Sequence, residues 1–148
     1  MSENRIEKRI ELKAPVSRVW KALTDYEEFG KWFGCKLEGP FVVGKTVHGK
    51  LTYPDFEHLQ WAVDVKQMEP ERLFSFSWHP GAVDPAVDYS KEAQTLVEFR
   101  LEGVPDGTVL TVTESGFEKI PANRRLEAFR MDEEGWIEQM ENIAKYVG

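Results

Sequence analysis

The sequence predicts an α+β fold: a curved antiparallel sheet wrapped around one long C-terminal helix, with two short helices after the first strand. Three patterns predict it. From Pro121 to Val147 the chain has a helical period, with Leu126, Phe129, Trp136, Met140, Ile143, Ala144 and Val147 at three- and four-residue steps on one face. Most of the preceding chain alternates apolar and polar residues in short runs between turn signals, as half-buried strands joined by hairpins do. Between the first such run and the others, residues 14–33 switch to a helical period. At about 1.5 Å per residue the last stretch would span roughly 40 Å, and an apolar stripe of that length needs a sheet to cover it.

The elements follow in order. Ile6, Ile10 and Leu12 alternate with polar residues, so residues 4–13 read as a strand. Lys8 falls on its inward side, a feature of edge strands. Pro15 opens a short helix carrying Val16, Val19, Trp20 and Leu23 on one side. Thr24 followed by Glu27 is a capping-box pattern for a second helix over 26–33, with Tyr26, Phe29, Trp32 and Phe33 as its apolar side. Residues 34–40 read as loop or irregular strand, and strands follow at 46–53, around Trp61, Val63 and Val65, and around Phe74, Phe76 and Trp78, with a turn at 54–58. Residues 79–93 hold two prolines and a glycine without a period, a long loop that is either functional or mobile. Val97, Phe99 and Leu101 resume alternation, Pro105-Asp106-Gly107 turns the chain, and Leu110, Val112 and Glu114 share one face of the last strand. No repeat or linker interrupts residues 1–148, which are expected to form one domain.

Composition excludes several classes of function. The formal net charge is −7 with no basic patch, which argues against nucleic acid as a partner. No apolar run approaches a membrane span, so no membrane partner is expected. The single cysteine, Cys35, forms no intrachain disulfide and fits a cytoplasmic location. His48, His58 and His79 lack metal-ligand spacing, Gly-x-Ser-x-Gly and phosphate-cradling loops are absent, and neither a metal nor a cofactor is implied. Aromatic residues are abundant, with five Trp, nine Phe and four Tyr, and they suit a wide, rigidly walled interior.

Four local motifs carry a resemblance. APVSRVWKALTDYEEFGKWF from Ala14 to Phe33, PERLFSFSW from Pro70 to Trp78, TVLTVTESGF from Thr108 to Phe117, and Gly135-Trp136 within the last helix stand in the order found in the family named for the activator of heat-shock protein 90 ATPase. The sequence resembles that family, within the START-like (SRPBCC) superfamily of helix-grip folds, over about residues 5–147. The resemblance implies a cavity between sheet and long helix that takes an apolar small molecule. The eukaryotic activator has a further N-terminal domain that engages the chaperone. This chain departs from that pattern, so the chaperone is not an expected partner.

Inward periodicity selects Trp61, Phe76, Trp78, Phe99, Phe129, Trp136 and Met140 as the walls of such a cavity. Glu114 shares the face of Leu110 and Val112, where a carboxylate is costly unless a hydroxyl, water or arginine meets it. Glu133 lies by angle between Phe129 and Trp136 on the apolar face. Gly135 stands mid-helix. Either the helix breaks near Met131-Asp132, with Asp132 capping a second helix, or the missing side chain lets the backbone approach the sheet or leaves room for something else. The expectation is that a side chain at Gly135 would clash with the packed wall. A binding module for a small hydrophobic or aromatic ligand is the favoured function, with loop 79–93 as its gate and Glu114 at its polar end. The alternatives are a cyclase- or lyase-type enzyme using Glu114 or Glu133, and a chaperone-related interaction module.

Overall fold

The chain runs β1 (Arg5–Leu12), α1 (Val16–Thr24), α2 (Tyr26–Phe33), β2 (Cys35–Leu37), β3 (Thr46–Leu51), β4 (Gln60–Glu69), β5 (Leu73–Trp78), β6 (Thr95–Val104), β7 (Gly107–Ser115), a 3-10 turn (Phe117–Lys119) and α3 (Ala122–Val147). The computed structural model describes residues 5–52, 57, 59–81 and 86–148. The expected end of the third strand at Tyr53, most of the 54–58 turn including His58, and residues 82–85 of the long loop lie outside the described residues.

All seven strands join one antiparallel sheet in the order β1-β7-β6-β5-β4-β3-β2, and the long helix lies against it, as the sequence predicts. The β6–β7 hairpin closes on a two-residue loop, Pro105-Asp106, between the paired Val104 and Gly107. A register irregularity in β4 between Val65 and Gln67 supplies local bend and twist. One core cluster runs from Ile6 and Leu110 on the β1–β7 side, through Phe76 and Phe99, to Val47 and Leu37 on the other.

The short helices close one end of the sheet. Trp32 donates its indole N–H to the Ala22 carbonyl at 2.8 Å, locking α2 onto α1. Gln139 of α3 donates to the Phe33 carbonyl at 2.7 Å, and Tyr146 donates its hydroxyl to Glu28 at 3.1 Å. The N-cap of α2 is Asp25 and not the expected Thr24. Asp25 accepts from the backbone N–H groups of Glu27 and Glu28, while the Thr24 hydroxyl returns to the Trp20 carbonyl one turn back. Thr24 is the last residue of α1, so its side chain serves the helix it ends.

The long helix is unbroken from Ala122 to Val147, so Asp132 caps nothing. Its buried face carries Ala128, Phe129, Trp136, Gln139, Met140 and Ile143, with Ala144 and Val147 partly buried. Leu126, expected on this stripe, is 45% exposed. At that turn Phe129 packs on Phe117 and Ala128 meets the backbone of Gly81, which turns Leu126 outward.

Gly30 of α2 marks the closest backbone approach at this end. A Cβ there would stand 2.4 Å from the Cys35 carbonyl oxygen, whereas one at Gly39 would meet nothing within 4 Å. Gly30→Ala is expected to destabilise by about 1–3 kcal/mol, the usual cost of forcing atoms into a packed site. Gly39→Ala is expected to leave the thermal midpoint nearly unchanged. Equal melting temperatures for the two variants would show that β2 retreats freely from α2.

Candidate functional site

Strand register builds the site. Trp78 of β5 stands opposite Thr95 of β6, and Glu114 of β7 stands between Val97 and Ile6 on the face toward α3. A slip of one residue would turn these side chains to the other face. Trp136 comes down from α3 onto the same spot.

Glu114 is fully buried, not at a solvated rim. Three neutral donors converge on it. Trp78 Nε1 donates to Oε2 at 2.9 Å, the Thr95 hydroxyl to Oε2 at 2.5 Å, and Trp136 Nε1 to Oε1 at 2.8 Å. Indole N–H groups can only donate, so both carboxyl oxygens act as acceptors. The two indoles stack with centroids 5.7 Å apart at 26°.

A second carboxyl lies beside this one. Asp132 is half-buried as a residue, but its Oδ2 is enclosed and has no hydrogen-bond partner. Its neighbours include the Glu114 carboxyl and the backbone of Gly81. Burial, and then the charge of Glu114 and a hydrogen bond with it, push the Asp132 carboxyl well above the usual aspartate range, against smaller opposing pulls from Arg124 and the Gly81 backbone. Asp132 therefore holds a proton where an ordinary aspartate would have lost it.

In front of the carboxyl pair opens a cavity of about 590 Å³. Its walls include Phe33, Trp61, Trp78, Tyr89, Asp132 and Trp136, along with Leu51, Leu59, His79, Pro80, Glu138 and Gln139. Phe33, Trp61, Trp78 and Trp136 touch one another with centroids 5.3–6.2 Å apart, a continuous aromatic surface. Gly135 lines the cavity too. A Cβ built on it meets nothing within 4 Å, so the expected clash is overturned: the missing side chain faces open space, and the helix keeps its distance from the sheet there.

The other sequence-derived residues are placed as follows. Phe76 and Phe99 are fully buried in the core behind the aromatic wall. Phe129 packs on Phe117, away from the cavity, and Met140 is buried beside the core without lining it. Glu133 does not face the interior. Its carboxyl lies 3.5 Å from the Lys8 ammonium at the sheet edge and its side chain is 43% exposed. The inward acid of α3 is its neighbour Asp132, which stands three residues after Phe129 and four before Trp136, a helical spacing as good as that of Glu133. Cys35 is a buried packing residue whose thiol burial pushes up to about 12.

The loop after β5 forms one wall through His79, Pro80, Gly81 and Tyr89. It is fastened to α3. Arg124 pairs with Glu92 at 2.5–3.2 Å and lies over the Tyr89 ring at 4.8 Å. Among the described residues no group of His, Cys, Asp and Glu is arranged to hold a metal ion. Among them also, no helix is long and apolar enough to cross a membrane.

The family described as "Activator of Hsp90 ATPase homolog 1-like protein" matches residues 13–148. The chain belongs to this family. A comparison with curated proteins gives no match. Among solved structures it is similar to protein MLL2253 from Mesorhizobium loti, with TM-score 0.75, 22% identity, and coverage of 96% of this chain and 95% of that one. It is similar also to the Aha1 dimer from Colwellia psychrerythraea, with TM-score 0.72, 20% identity, and coverage of 97% and 95%. DynU16, from the dynemicin biosynthetic locus, gives TM-score 0.73 at 24% identity, where the match spans 97% of this chain and 46% of that one. At these identities the structures share the helix-grip fold of this activator-like family.

The raised Asp132 carboxyl has a consequence for stability. A carboxyl raised in the folded state favours folding while protonated, below the unfolded value of about 4, and that contribution is lost as pH rises through the raised folded value. Asp132→Asn keeps the shape and removes the titration. The melting temperature of the wild type is expected to fall relative to that of Asp132→Asn as pH rises above the ordinary aspartate range. Parallel curves across that range would contradict a proton held at Asp132.

Proposed function

We propose that this chain binds a small apolar or aromatic molecule in the cavity between α3, the β3–β5 side of the sheet and the loop after β5. The observation that carries this is an aromatic-walled cavity of about 590 Å³, kept clear at Gly135. Small-molecule sites commonly fall between about 300 and 1,000 Å³ and pair apolar walls with a few polar groups. Asp132, with Glu114 behind it, is joined among the described lining residues by the polar side chains of Gln60, His79, Tyr89, Glu138 and Gln139. The origin of DynU16 in a biosynthetic locus is compatible with a small-molecule role for the shared fold. The Arg124–Glu92 pair latches the loop, which acts as the gate. The compartment is the cytoplasm, in keeping with a lone buried thiol.

A second function, acid–base catalysis, is favoured by the carboxyl pair alone. Asp132, carrying a proton at the cavity wall, would be the general acid. Glu133 has no part in it, because its partner is Lys8. Glu114 is a poor base, since three donors already occupy its oxygens.

Gly135 supplies a test that spares the core. Glycine in a helix interior costs about 1 kcal/mol relative to other good helix formers, so Gly135→Leu should melt no lower than the wild type while its side chain enters the cavity. Titration with neutral aromatic probes should give saturable quenching or shift of tryptophan emission in the wild type, and little in Gly135→Leu. Absence of saturable binding across a broad neutral apolar and aromatic library would remove the binding function.

A further inference from the structure

The cavity wall holds the acidic side chains of Asp132 and Glu138 and, among the described residues, no lysine or arginine. Arg124 stands close to Asp132, but Glu92 already engages its guanidinium and Tyr89 its face. Glu114, fully buried, accepts from the two indoles and a hydroxyl and has the Asp132 carboxyl beside it. A carboxylate taken out of water with neutral donors but no cation beside it is incompletely compensated. Asp132 adds an enclosed oxygen with no hydrogen-bond partner, on a residue that lines the cavity.

We propose that the ligand of this cavity is a cationic amine: an ammonium group seated at Asp132, carried on an apolar or aromatic body that lies against Trp61, Trp78 and Trp136. This rests on the binding function above and narrows it to a ligand class. An ammonium supplies the positive charge that the Glu114–Asp132 pair lacks among the cavity-lining side chains. It is also the charge that tryptophan faces attract. A carboxylate or phosphate ligand would meet like charges and no lysine or arginine among the described lining residues.

Binding exchanges one cation for another. Burial, and then the Glu114 charge, favour a proton on Asp132 beyond the usual aspartate range. As the ammonium arrives the proton leaves to solvent, so the net charge within the cavity is conserved. Among the described residues, the charged and titratable groups around Asp132 are Glu114 from β7, Arg124 and Glu138 from α3, and His79 and Tyr89 from the loop.

Three probes with one ring system separate the outcomes: 2-naphthylmethylammonium, 2-naphthylmethanol and 2-naphthoate, titrated calorimetrically into the full chain at neutral pH. The ammonium is expected to bind about tenfold or more tightly than the alcohol, and the carboxylate more weakly than both. Its affinity should rise with pH, and the heat of binding should vary with buffer ionisation enthalpy as a proton is released. Asp132→Asn should bring the ammonium down to about the affinity of the alcohol. An alcohol that binds as tightly as the ammonium, or a carboxylate that binds best, overturns the amine proposal and leaves apolar binding standing. If none of the three binds saturably, both proposals fall. The charge ranking on the wild type decides the matter even if Asp132→Asn fails to fold.

Discussion

The buried carboxylate of Glu114 is the constraint on which the rest of the site depends. Its three hydrogen bonds come from β5, β6 and α3, while the residue itself belongs to β7. One side chain therefore ties three adjacent strands to the helix that crosses them. Hydrogen bonds to a charged group contribute about 1.5–3 kcal/mol each, and leaving such a group unsatisfied costs more than the bond was worth. The arrangement is thus all-or-none: with its donors in place Glu114 fixes the rotamers of Trp78 and Trp136, and without them it would have no place in the core. The stacking of the two indoles follows from their sharing one acceptor.

The cavity exists because that arrangement stops short. In front of the indoles the helix offers Gly135 in place of a side chain, and the sheet offers Trp61, already turned against Phe33 and Trp78. No apolar group fills the remaining space, and the loop after β5 roofs it through contacts with Arg124 and Ala128. Asp132 is placed at the junction of the rigid interior and this space. Burial at that position, and then the carboxylate behind it, raise its carboxyl above the usual aspartate range.

Much of this architecture is legible in the sequence, because strand and helix periods are local. The alternation of Leu110, Val112 and Glu114 sets the acid inward, and the same rule turns Phe74, Phe76 and Trp78 toward the helix. What alternation cannot give is register. That Trp78 stands opposite Thr95, within reach of Glu114, depends on pairing across three strands and on the length of the loop between two of them. The helix poses a finer ambiguity. Asp132 stands three residues from Phe129 and four from Trp136, Glu133 four and three, and only the rotation of α3 against the sheet decides between them. The sheet turned Asp132 inward and left Glu133 to Lys8. Gly135 carried its own signal, a helix-weakening residue beside an inward tryptophan, but open space and close packing leave the same mark in a sequence. Thr24 and Asp25 compete for one cap, and the end of α1 settles it.

The Lys8–Glu133 contact bears on how copies of this chain can meet. β1 is an edge strand, paired on one side with β7 and carrying free backbone groups on the other. Such an edge invites a strand from another molecule. Here its outward positions are Arg5, Glu7, Arg9 and Glu11, and its one inward charge is anchored to the helix behind it. A strand arriving alongside would have to strip water from four alternating charges and match their signs in reverse order. Pairing of a second copy along the β1 edge is thereby made costly.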